Sequence, residues 1–190
     1  DQVDLPLDHA TYNPPGDGSG VDVYVLDTGL DTTHTEFANV NQRVVENVFN
    51  GFGEVTPDTD GHGHGTHCAG TVGGLNVGVA PKVNILGVKV LNDNGGGSTA
   101  IVVEALHLIL EHRIAEPLKP IIVTMTWGSG CTDCSSDPIV QALGVLTEAN
   151  ITVVVAAGNS GTDACARTPT SSSDVITVGA TTSSDGLSSF

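Results

Sequence analysis

An α/β fold, a doubly wound, mostly parallel sheet in three layers, is what this sequence predicts, and three observations predict it. Between residues 83 and 157 short apolar runs alternate with longer helical stretches, the order of parallel crossover units. Twenty-four glycines stand against four phenylalanines, two tyrosines and one tryptophan, which implies a core of Val, Ile, Leu and Ala with many tight turns. An acid and a carboxamide each stand where an apolar run ends, the place where working residues collect in open α/β sheets. These are Asp27, after residues 21–26, and Asn159, after residues 152–157.

Each element has its own reason. Residues 4–20 carry Pro6, Pro14, Pro15, Gly16, Gly18 and Gly20 and read as an irregular arm. Residues 21–26 are a near-continuous β-favouring run, residues 32–37 a turn or short helix around His34, and residues 43–49 a second β-prone run. A short buried helix starts at Thr66, where small residues follow a glycine-punctuated stretch. Residues 83–91 form a buried strand, and Ser98 or Thr99 then caps a helix reaching Glu116, which Pro117 and Pro120 stop. That helix carries Glu104, His107 and Glu111 on one face and Ile101, Ala105, Leu108, Ile109 and Ile114 on others. A strand at 121–125, a helix at 137–149 and a strand at 152–157 complete the alternation, with right-handed crossovers expected. There is no internal repeat and no linker, so residues 1–190 form one domain.

Composition excludes several functions. With six basic and twenty-two acidic residues the net charge is −16, which repels phosphate backbones and argues against a nucleic-acid partner. The plainer meaning of that charge is a solvated acidic surface. No apolar run approaches the roughly 20 residues of a membrane span.

The chemistry starts at His64. Residues 58–65, Asp-Thr-Asp-Gly-His-Gly-His-Gly, cannot be helix or strand, so His64 stands where a loop becomes a helix. An imidazole there is a ready general base, provided a third group holds one tautomer and orientation. Asp27 is the carboxylate placed for that. Asn159, in Gly158-Asn159-Ser160-Gly161, can donate an N–H to a developing oxyanion. Gly95-Gly96-Gly97 and Thr126-Trp127-Gly128 leave buried strands at the same edge, and an extended peptide between them would gain main-chain hydrogen bonds on both sides.

Asp27-Thr28-Gly29, then residues 64–73, His-Gly-Thr-His-Cys-Ala-Gly-Thr-Val-Gly, then Ala156-Ala157-Gly158-Asn159, in this order and at these intervals, resemble the subtilisin-like serine proteases, in their proteinase K and aqualysin branch. Residues 78–81, 86–91 and 175–180 are similar to that family too, so the resemblance covers essentially the whole chain. It implies a subtilisin-like fold, here incomplete. It also implies a secreted, monomeric serine endopeptidase acting on proteins or peptides, open to a propeptide or inhibitor, and needing no cofactor for its chemistry. Asp27 would orient His64, Asn159 would bind the oxyanion, and residues 95–97 and 126–128 would flank the substrate. Trp127 replaces the leucine usual at its position; it either shapes an apolar subsite or fills core. Structural calcium is implied weakly, through carbonyls near Ser173 and Val175.

The family's Gly-Thr-Ser-Met-Ala segment, which carries the nucleophile, does not occur, and Ser129 and Ser160 are no substitutes for it. The chain reads as a partial catalytic domain, inactive as given. An inactive peptide-binding module is the alternative. A third reading, a metal-dependent hydrolase, takes His62, His64 and His67 as ligands with Asp60. Cys68 reads as a buried thiol on the short helix, pointing away from His64. Cys131 and Cys134 form either a local disulfide or bridges elsewhere, and Cys165 matches a position that pairs, in aqualysin-like relatives, with a cysteine beyond Phe190. His9, His107 and His112 read as exposed, and His34 as bonded within its own turn.

Overall fold

A computed structural model describes residues 15–38, 42–131, 133–184 and 186–190; most of the predicted arm, with His9, lies outside them. Strand β1 (Asp22–Asp27) is followed by β2 (Val45–Asn50), helix α1 (His64–Gly73), β3 (Asn84–Lys89), α2 (Thr99–Ala115) and β4 (Ile121–Met125). Then come β5 (Ser129–Gly130), α3 (Pro138–Glu148), β6 (Thr152–Ala156), β7 (Arg167–Thr168) and β8 (Ile176–Val178). Six strands make one sheet in the order β2-β3-β1-β4-β6-β8, every neighbouring pair parallel, while β5 and β7 form a small antiparallel ladder. The fold is α/β with a mostly parallel sheet, as the alternation predicts.

Period-two alternation divides β1 between two layers. Tyr24 and Leu26 face the cluster formed with α2 and α3, where Val102, Ala105, Leu106, Ile109, Leu143 and Leu146 are buried. Val23 and Val25 face a smaller cluster with Ala69 of α1, Leu30, Phe37 and Ile85. All six residues of β1 are therefore buried, which is why it reads as an unbroken apolar run. On α2 the buried residues are 102, 105, 106 and 109, whereas Ile114 is 70% exposed.

Caps set the helix ends. Ser98 Oγ accepts from Ile101 N and starts α2; Asp137 accepts from Ile139 N and starts α3 with Pro138 in its first turn. Helix α1 begins at His64, two residues before the predicted start. The reason is Asp60, whose carboxylate accepts from Gly63 N at 2.8 Å and Thr66 N at 2.9 Å and satisfies amides that the helix itself cannot.

The layer containing α1 is uneven. Register places Ile122, Val154, Ile176 and Val178 on the same sheet face as Val23 and Val25. Ile176 and Val178 are 55% and 52% exposed, so the part of this face over β6 and β8 is open among the described residues. The strand order reverses about β1, with β3 on one side and β4 on the other, and the crevice outside the carboxyl ends at that point is where open α/β sheets bind ligands. No described helix is long and apolar enough to cross a membrane.

Candidate active site

At that crevice β1 delivers Asp27, fully buried, and α1 delivers His64, whose side chain is 43% exposed. His64 Nδ1 lies 2.7 Å from Asp27 Oδ1. An ionised carboxylate offers only acceptors, so the network assigns the proton to Nδ1 and leaves the Nε2 lone pair for a reacting group. Asp27 is held from two further sides: Thr28 N donates to Oδ1 at 2.7 Å and Thr126 Oγ1 donates to Oδ2 at 2.5 Å. Three donors fix both oxygens of this buried acid.

The approach of α1 to β1 depends on Gly65. A Cβ there would stand 2.2 Å from Gly29 O and 3.1 Å from the Asp27 Cβ, so any side chain would push His64 away from its partner. The loop entering α1 is tied to β1 as well. Thr28 Oγ1 accepts from Gly65 N at 2.9 Å and donates to Asp60 Oδ1 at 2.7 Å, and Asp60 Oδ2 accepts from Thr66 Oγ1 at 2.6 Å. Burial alone would raise the Asp60 carboxyl, but the bonds from Thr66, Thr28 and Gly63 outweigh it and hold the group below its ordinary range.

Asp60 is thus a brace for the His64 loop, with its oxygens occupied by protein donors, and this counts against its use as a metal ligand. The His62, His64 and His67 cluster is not assembled either. Among the described residues, the group whose ligand atoms lie within 4.8 Å of one another is Asp27, His64 and Cys68, and the His62 ring stands 6.2 Å from that of His64, edge to face. The metal-dependent hydrolase reading is overturned on this geometry.

Cys68 corrects another expectation. Its Sγ lies 3.9 Å from His64 Nδ1, because residues four apart on a helix share a face. Burial pushes its thiol up; a Thr126 hydrogen bond opposes this and the Asp27 and Asp60 charges reinforce it, so the group stays a thiol and is no competing nucleophile. A soft cation bound by Cys68 and His64 would take the lone pair the base needs.

Asn159 follows β6, which lies two strands from β1 on the same edge, and is exposed. Residues 92–97 turn back on themselves through Gly95 at φ +78°, with Gly95 N donating to Asn92 O and Asn92 N donating to Gly96 O, and Leu91 pairs with Gly97. This turn and residues 127–129 wall one cavity of about 200 Å³. The two predicted substrate segments therefore do face a common space. Thr126 is drawn elsewhere, to Asp27.

The comparisons with known proteins bear on this arrangement. Residues 18–190 match the subtilase (peptidase S8) family. The chain belongs to the subtilase family. It is 39% identical, over its whole length, to the extracellular serine proteinase of Thermus sp. (strain Rt41A), of which it covers 43%. To proteinase T of Parengyodontium album it is 39% identical over 91% of the chain, covering 56% of that protein. The crystal structure of a cold-adapted subtilisin-like serine proteinase superposes on all of this subtilase chain with a TM-score of 0.84 at 38% identity, and 65% of that chain is covered. This subtilase chain therefore spans about half the length of the relatives it matches.

Other sequence expectations fall into place around the site. Cys131 and Cys134 form a local disulfide, and Cys165 is exposed with no partner among the described residues. His34 Nδ1 accepts from Glu36 N within its own turn. His112, expected to be exposed, has a side chain only 24% exposed; it bonds the Tyr24 hydroxyl and stands 3.4 Å from Glu116 and 3.8 Å from Asp22. The residues missed by sequence reasoning are Thr28, Thr126 as a support for Asp27, and Asp60 as a brace. Spacing does not signal the contacts that tie them to the site, since Thr28 reaches Asp60 across 32 positions and Thr126 reaches Asp27 across 99.

Proposed function

We propose that this chain supplies the acid, the base and the oxyanion donor of a secreted serine endopeptidase, whose nucleophile is a serine outside these 190 residues. The supporting observation is the Asp27–His64 bond, 2.7 Å long, with the acid buried and fixed by Thr28 and Thr126. His64 Nε2 takes the serine proton as Oγ attacks the scissile carbonyl, then returns it to the leaving amine. Asp27 orients the ring and stabilises the imidazolium. Asn159 and a backbone N–H bind the oxyanion. The substrate is an extended polypeptide lying between residues 95–97 and 126–128, and a propeptide or protein inhibitor would use the same groove. The open sheet face over β6 and β8, on the α1 side, is where the serine-bearing segment packs. Secretion accords with the relative named an extracellular serine proteinase.

Structural calcium belongs to this proposal only in part. The carbonyls of Ser173 and Val175, with Asp174, whose Oδ1 lies 3.3 Å from Ser173 Oγ, offer fewer than the six to eight oxygens calcium takes.

The test compares the full natural chain with the isolated 190 residues on an unfolded protein substrate. The full chain is expected to hydrolyse it, to be blocked by a serine-directed phosphonylating reagent and to be indifferent to a zinc chelator; the isolated chain is expected to be inert. Hydrolysis by the isolated chain would overturn the placement of the nucleophile. Peptide binding by the full chain without hydrolysis would turn the reading into that of a binding module.

A further inference from the structure

We infer that Lys89 is a positioning residue for the Asp27–His64 pair: its buried ammonium anchors Thr28, the residue that holds the acid and the start of α1, and its charge opposes protonation of the base. This role rests on the peptidase reading above, in which His64 is that base. Lys89 ends β3 and stands in parallel register with Asp27. Neighbouring strands run about 4.8 Å apart and side chains in register share a face, so the two leave the sheet as neighbours on the α1 side. The Lys89 side chain is only 6% exposed. Its Nζ donates to Thr28 O and, at 2.7 Å, to Asp93 Oδ1. Packing alone does not call for a charge here, since an apolar chain of similar volume would fill the space without the cost of stripping an ammonium of water.

Thr28 carries the effect to the site. Its N–H donates to Asp27 Oδ1 at 2.7 Å, and its hydroxyl accepts from Gly65 N at 2.9 Å and donates to Asp60 at 2.7 Å. Its carbonyl is taken by Lys89, so every polar atom of this buried residue is held and its backbone has little room to shift. Asp93 belongs to the same support. A Cβ on Gly61 would stand 2.5 Å from Asp93 Oδ2, so the loop that carries Asp60 lies directly against the carboxylate paired with Lys89. Among the described residues, the charged and titratable groups around His64 are Asp27 from β1, Asp60 and His62 from the preceding loop, Cys68 from α1, and the Lys89–Asp93 pair from β3 and the turn after it; β4 contributes the Thr126 hydroxyl. A net charge of −16 favours a proton on any imidazole of this chain, and a proton on His64 Nε2 removes the base. The ammonium beside Asp27 acts against it, and Asp93 moderates the ammonium.

The experiment follows the Cε1 proton resonance of the His64 ring against pH in the full natural chain, together with kcat and KM on a peptide substrate. In Lys89→Gln, which leaves a donor without the charge, the midpoint of the ring titration is expected to move to higher pH. In Asp93→Asn, a change at a side chain 60% exposed, the ammonium loses its counter-ion and the midpoint is expected to move to lower pH. Lys89→Arg, which keeps the charge, is expected to stay near the parental midpoint. Lys89→Met, which also frees the Thr28 carbonyl, is expected to lose about 10- to 100-fold in kcat at the pH optimum, with KM changing far less. A role in packing alone would not move the two midpoints in opposite directions. Unchanged midpoints, or shifts of the same sign in Lys89→Gln and Asp93→Asn, would overturn the assignment. Should the Lys89 variants fail to fold, Asp93→Asn with the parental midpoint overturns it by itself. If the full chain cleaves no peptide, it is the peptidase reading that fails, and the ring titration still decides what Lys89 does to His64.

Discussion

In the full natural chain His64→Ala is expected to lower kcat by about 10⁶, the loss that removing the base causes in subtilisin, where this magnitude was measured. The structure shows why no neighbour would take over. Cys68 lies 3.9 Å from His64 Nδ1 and is held as a thiol, burial being the main cause. His62, the closest imidazole in sequence, stands edge-on at 6.2 Å between ring centres. The exposed His64 ring contributes to the reaction mainly by moving a proton, so KM is expected to shift far less than kcat. Steady-state kinetics with protein of verified fold checks this, and a loss below 10²-fold would mean that another group is the base.

Asp27→Asn is expected to cost about 10⁴ in kcat while leaving the backbone in place. An amide at this position presents one acceptor and one donor, whereas three donors converge on Asp27: the His64 ring, Thr28 N and Thr126 Oγ1. Thr28 N and His64 Nδ1 both meet Oδ1, so an amide nitrogen at that place faces the imidazole and drives the ring to the tautomer with its proton on Nε2. That proton blocks the base. Because the site is fully buried, the same change leaves a donor without an acceptor and is expected to lower the melting temperature as well. A variant with near-parental kcat would show that orientation by Asp27 is dispensable.

The strands were legible where burial writes itself into composition. Strands β1, β4 and β6 have buried residues on both faces or dense β-branched character, and their ends agree with the predicted runs to within a residue. The start of α1 was not, because glycines at 61, 63 and 65 mask a helix that Asp60 stabilises from outside it. The two-residue strands β5 and β7 have no periodicity to detect, and their pairing joins Ser129 to Thr168 across the chain. At the site, Asp27, His64 and Asn159 announce themselves by residue type at a strand or helix end. Thr28, Asp60 and Thr126 do not, since a hydroxyl or carboxylate whose task is to hold another side chain has no sequence pattern of its own. Cys68 is a different lesson. Its four-residue offset from His64 already placed both on one helix face, and the spacing was there to be read.

His64, held by Asp27, is proposed to activate a serine. The most direct measurement is to treat the full natural chain and its His64→Ala variant with a phosphonylating serine reagent, follow the rate of modification, and map the modified residue by peptide mass spectrometry. One modified serine outside residues 1–190 is expected, with a rate that collapses without His64. Modification at Ser129, Ser160 or Cys68, or an undiminished rate in the variant, would contradict it.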